Sequence, residues 1–140
     1  MIVRAAPPEH YGWIAKRAGL VCGPSFRAIE AVDASGKVHG MVGYDGWTPN
    51  AVQMHVALDN PAALRALLKP GFSIPFVEFG RGVALATVLG TNGRSLELVP
   101  RLGFRFAHRI VDGFEPGVDV LLFEMRRDEC RWLGGMRKAA

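Results

Sequence analysis

Cysteine is scarce in this sequence. Cys22 and Cys130 are the two among 140 residues, too few and too isolated for a disulfide framework or a Cys-x-x-Cys zinc site, so free thiols are expected. Long apolar runs are missing as well, and nothing approaches the roughly 20 residues that a membrane-spanning helix needs. The opening Met1-Ile2-Val3-Arg4, with Pro7-Pro8-Glu9 close behind, has neither a signal-peptide h-region nor transit-peptide character. These absences lead us to expect a cytoplasmic protein with no membrane partner. Internal repeats, low-complexity tracts and linker-like stretches are also lacking, which predicts one domain over residues 1–140. What the chain does have is 49% hydrophobic content, enough at this size to bury roughly two-thirds of the unfolded surface in one core.

The formal net charge is +4, and the basic residues gather in the second half: Arg94, Arg101, Arg105 and Arg109, then Arg126, Arg127, Arg131, Arg137 and Lys138. Such a field suits an anionic ligand. No RNA- or DNA-binding motif accompanies it and aromatics do not alternate with it, so nucleic acid is not expected as a partner.

Ile2-Val3-Arg4 reads as a short strand, followed by helical spacing at Tyr11, Ile14, Ala15 and Ala18 with Gly19 as the stop. Phe26 to Val32 and Val38 to Tyr44 are β-prone runs joined by Asp33-Ala34-Ser35-Gly36-Lys37, which predicts a hairpin. Asp45 to Asn50 is a second link. Beyond it Val52, Met54, Val56 and Leu58 alternate with Gln53, His55 and Ala57, so a third meander strand puts His55 on the face opposite the aliphatic set. Asn60-Pro61 is a cap residue followed by a proline at the first helical position, and the helix it opens is expected to break at Pro70-Gly71. Ser73 to Phe79 reads as a second helical piece. Gly80-Arg81-Gly82 looks superficially like a phosphate loop, but a β-branched strand follows it, and turn chemistry is the better reading.

The most informative segment runs from Val83 to Phe104. Val83 to Val88 is apolar and β-branched, Gly90-Thr91-Asn92 supplies turn and N-cap chemistry, and the helix behind it stops at Leu102-Gly103-Phe104. With the Val52 to Leu58 strand and the helix opened by Asn60-Pro61 ahead of it, the Val83 strand completes a strand, crossover helix, strand arrangement, which is a parallel unit. Arg105 to Val111 and Val118 to Met125 then flank a link at Asp112–Gly117 and form a closing hairpin, and Asp128 to Leu133 adds a terminal helical turn.

The pattern Asn92-x-x-Ser95, an aliphatic helix face and Leu102-Gly103-Phe104 resembles the second conserved motif of the GNAT acyltransferase superfamily. The element order is similar to the same fold. Gly46-Trp47-Thr48-Pro49-Asn50-Ala51-Val52-Gln53-Met54-His55 also looks like GNAT-related proteins of bacteriophage and prophage. The resemblance implies an α+β sandwich: a mixed, mostly antiparallel sheet with a central, splayed parallel strand pair and flanking helices. It further implies that acetyl-coenzyme A is the acyl donor, that an amine is the acceptor, and that a pantetheine arm fills the gap beside Val56, Ala57 and Leu58. A peptide N–H there would stabilise the oxyanion. Asn92 and Ser95 would meet the coenzyme, with Ser95 as proton donor to the leaving thiolate.

Two departures from the family pattern stand out. Where a glycine-containing pyrophosphate loop belongs, the chain reads Leu58-Asp59-Asn60-Pro61-Ala62-Ala63, and the usual tyrosine before Leu-Gly-Phe is replaced by Val99. For the general base, His55 on the central strand is the candidate, because a base for an ammonium nucleophile near neutral pH is most often a histidine. His39 is expected near it across the two strands; with no third ligand at metal spacing, no metal is expected. Tyr44 and Trp47 are candidates for an acceptor pocket. The function read from these features is N-acyl transfer, with a degenerate GNAT-fold binding or assembly module of phage origin as the alternative; a homodimer is left open.

Overall fold

The computed structural model describes residues 1–134. Its elements are β1 (Ile2–Ala5), α1 (Tyr11–Ala18), β2 (Arg27–Val32), β3 (Val38–Asp45), β4 (Ala51–Leu58), α2 (Pro61–Ser73), β5 (Val83–Leu89), α3 (Gly93–Leu102), β6 (Arg105–Glu115) and β7 (Val118–Arg126). The strands form one sheet in the order β1-β2-β3-β4-β5-β7-β6. Every neighbouring pair is antiparallel except β4 and β5. This is the mixed α+β sandwich expected from the sequence, with the parallel pair at its centre.

Side-chain alternation divides the core between the two faces of the sheet. On one face α1 packs through Ile14 against Phe26, Ala28, Met41 and Ala57. On the other, α2, α3 and the turn at Arg131–Leu133 cover a larger core that includes Val42, Tyr44, Met54, Leu67, Phe72 and Phe104. Two glycines in β3 allow these close approaches. A Cβ on Gly43 would lie 2.4 Å from Cζ of Phe26, and one on Gly40 would lie 2.9 Å from Cβ of Ala63.

The expected break at Pro70-Gly71 does not occur: α2 runs through Pro70 to Ser73 and passes into a π-helical turn at Ile74–Glu78. A proline inside a helix costs about 3 kcal/mol. Burial of Leu67 and Phe72 against the sheet offsets that, at about 1.5–3 kcal/mol each. Pro75 creates a second deficit, because it has no N–H for the carbonyl four residues earlier, Gly71. Tyr44 fills the place, its hydroxyl donating to the Gly71 carbonyl at 2.6 Å.

The closing hairpin also differs from expectation. β6 extends to Glu115, through most of the segment read as a link, and the register with β7 breaks between Ile110 and Glu115. Within that break Asp112 has a φ of 55°. Its N–H donates to Asp119 Oδ1 at 3.0 Å and its carboxylate accepts from Gly117 N–H at 2.9 Å. Gly80-Arg81-Gly82 is an irregular link into β5, with Gly80 at φ 62°.

Candidate active site

The parallel ladder between β4 and β5 is short. Ala51, Val52 and Gln53 pair with Val83, Ala84 and Leu85, and pairing then stops although both strands continue. The strands splay. A cleft of about 790 Å³ opens between their unpaired halves, a volume within the range of about 300–1,000 Å³ usual for small-molecule sites. His55 and Ala57, which point to the α1 face, and Met54 and Val56, which point to the other, all line it. The gap therefore passes through the sheet.

On the α1 side stand His55, Asp45, Gln53, Thr87 and the end of α1 from Arg17 to Leu20. His55 Nε2 lies 2.8 Å from Asp45 Oδ1, and the ring stacks on Phe26 at 6.4 Å between centroids. The two residues meet because β3 pairs Gly43 with His55 and Asp45 with Gln53, which makes Asp45 the diagonal neighbour of His55. A carboxylate beside Nε2 favours the tautomer protonated there, leaving the lone pair on Nδ1. Gln53 donates to the Thr87 hydroxyl at 2.5 Å, bridging β4 to β5 on this side.

On the other side the first turns of α3 bring Asn92, Arg94, Ser95, Leu98 and Val99 to the cleft. Asn92 is the N-cap: its side-chain oxygen accepts from Ser95 N–H at 3.1 Å. Val56, Ala57 and Leu58 lie in the unpaired half of β4 and line the cleft as well.

Other sequence-predicted residues lie elsewhere. Tyr44 points to the α2 face, is 1% exposed and has its hydroxyl committed to Gly71; burial pushes that hydroxyl's pKa upward. Trp47 packs between Tyr44 and Phe79. Neither lines the cleft. His39 is not near His55, whose partner in β3 is Gly43. It bridges Asp33 at 2.8 Å and Asp59 at 3.0 Å. Those carboxylates, Asp33 first, raise the pKa of His39, while hydrogen bonds from Ser35 and then His39 hold Asp33 well below the usual carboxylate range. Among the described residues there is no cluster of three or more His, Cys, Asp or Glu that could hold a metal ion.

Sequence reasoning missed Arg17 and Phe114 as cleft residues. Asp45 opens a link in the sequence, and its approach to His55 depends on strand register. Phe114 was hidden in a segment read as a link. Three of the basic residues of the second half are paired with carboxylates: Arg101 with Glu97, Arg105 with Glu129 and Arg109 with Asp119. Arg137 and Lys138 lie outside the described residues.

Comparison with protein families and with curated proteins finds no match. Solved structures do match. A mutant of the spermidine N-acetyltransferase SpeG from Vibrio cholerae superposes with a TM-score of 0.74 at 12% identity, covering 96% of this chain and 98% of that one. A dodecameric structure of the Vibrio cholerae spermidine N-acetyltransferase gives 0.70 at 13% identity, covering 89% and 92%. A protein provisionally assigned as a phosphinothricin N-acetyltransferase gives 0.67 at 14% identity, covering 89% and 97%. At such identities the likeness defines the fold. It is the fold of the GNAT N-acetyltransferases.

Proposed function

We propose that the chain is an N-acyltransferase that moves an acetyl group from acetyl-coenzyme A to an amine by direct attack. The observation that carries this reading is the gap between β4 and β5, one cavity that reaches both faces of the sheet with His55 on one side and Ser95 on the other. An amine on the α1 side can then meet a thioester carbonyl held in the gap. His55 accepts the amine proton at Nδ1 while Asp45 holds Nε2–H. As the new C–N bond forms the C–S bond breaks, and the Ser95 hydroxyl gives its proton to the departing sulfur, to be reprotonated from water. Backbone groups of Val56, Ala57 and Leu58 are free of a β5 partner and suit the amides of a pantetheine arm. The Asp45 carboxylate gives an ammonium acceptor a counter-charge, and the polyamine substrates named for two of the structural neighbours are of that class. A phage or prophage setting rests on the Gly46-to-His55 likeness alone.

One observation favours a second reading, a GNAT-fold binding module: the segment between β4 and α2 has no glycine loop for a diphosphate. Ligand binding separates the two. A ligand of the native state at 100 times its Kd adds about 2.7 kcal/mol of stability, so millimolar acetyl-coenzyme A should raise the melting temperature. No thermal shift and no calorimetric heat would leave the binding module as the reading.

A further inference from the structure

On the acyl-transfer reading the unpaired half of β4 takes the pantetheine arm, and the coenzyme's diphosphate would lie beyond it, at the start of α2. Helix N-termini bind phosphates through amides without intrahelical partners, about four per helix. At the first three positions of α2 no amide is left over. Pro61 has no N–H, Ala62 N–H donates to Asn60 Oδ1 at 2.8 Å, and Ala63 N–H donates to the Asn60 carbonyl at 3.0 Å. One residue earlier, Asp59 N–H donates to the His39 carbonyl at 2.9 Å. Asp59 lines the cleft, with its carboxylate 3.0 Å from His39 Nδ1, and a carboxylate gives a diphosphate no donor. No glycine lies between Leu58 and Gly71 to let the backbone come closer.

We infer that this chain recognises its acyl donor through the pantetheine arm and gives the nucleotide diphosphate no seat, so that an acyl-pantetheine lacking the adenosine half serves as well as acetyl-coenzyme A. The inference rests on the acyl-transfer reading and narrows the donor class within it. The shared chemistry is the pantetheine thioester, whether it arrives free, on a nucleotide or on the phosphopantetheine of a carrier protein. The two arginines lining the cleft are on other elements, Arg17 at the end of α1 and Arg94 in the first turn of α3.

Titration calorimetry on the whole chain tests this with coenzyme A, pantetheine and a phosphopantetheinylated carrier protein, and with adenosine 3′,5′-bisphosphate as competitor. Coenzyme A and pantetheine should bind within about threefold of each other, and the bisphosphate should displace neither; well-made charge-assisted phosphate contacts would separate them by tenfold or more. Tighter binding of the carrier protein would identify the source of the arm, and equal binding would identify the free thioester; both support the inference. Coenzyme A binding more than about thirtyfold tighter than pantetheine, or displacement by the bisphosphate, would overturn it while leaving acyl transfer intact, and a diphosphate gripped by Arg94 would give that result. If no pantetheine compound binds, the acyl-transfer reading falls and the inference falls with it.

Discussion

Tyr44 and His55 carry the same lesson from opposite sides. Both were singled out from the sequence, one as an acceptor-pocket residue and one as a base. Alternation along β4 was enough to put His55 on the face opposite Met54 and Val56, because a period of two is a local property. For Tyr44 the deciding fact is non-local: Pro75 has no N–H to donate to the Gly71 carbonyl, and the tyrosine hydroxyl donates to it at 2.6 Å. Tyr44→Phe should therefore lower stability by about 1–3 kcal/mol, the cost of stranding a buried polar group, with acceptor KM unchanged. A raised KM with an unchanged melting temperature would return Tyr44 to the acceptor site. Asp45 is the opposite case. Its role beside His55 needs the β3–β4 register, which turn chemistry does not reveal, and Asp45→Asn should shift the pH–rate profile of transfer while leaving donor affinity unchanged. An unmoved profile would reduce Asp45 to a surface partner of the histidine.

Among the elements, α3 was the most legible, because its signals are contiguous: Asn92 at the cap, an aliphatic face and a left-handed Gly103 at φ 107°. Asn92→Ala should cost about 1 kcal/mol of stability through the lost cap. Ser95→Ala should leave stability nearly unchanged, alanine being the better helix former, and should lower turnover. Equal turnover would make the hydroxyl structural. The continuation of α2 through Pro70 was not legible, since local proline chemistry is overridden by burial that only the folded sheet provides. Gly43 shows the same limit within β3. Nothing nearby in sequence marks it, yet a Cβ there would strike Phe26, and Gly43→Ala should destabilise by about 1–3 kcal/mol through overpacking. A melting temperature equal to wild type would mean that Phe26 has room to move.

For the molecule as a whole, the order of strands and helices was readable, but the opening of the parallel pair was not visible in composition or periodicity and entered through family resemblance. The same holds for the closed donor end, where missing glycines were evident and the saturation of the amides was not. That end is tied together by His39 between Asp33 and Asp59, and its charge makes stability depend on pH. The pKa of His39 is raised by folding, so its contribution is complete below the unfolded value near 6.5 and is lost as pH rises through the folded one. The pKa of Asp33 is lowered, so its share is present above about 3.9 and is lost as pH falls through the folded value. The melting-temperature gap between wild type and His39→Gln should be larger near pH 5.5 than near pH 8.5, and a gap independent of pH would remove the ion pairs from the balance. The most direct measurement of function is mass-spectrometric detection of acetylated amine after mixing the protein with acetyl-coenzyme A or acetyl-pantetheine and a panel of primary amines that includes spermidine. Acyl transfer across the β4–β5 gap predicts acetylated product that forms more slowly with His55→Ala, whereas no product above the protein-free control from either donor would contradict it.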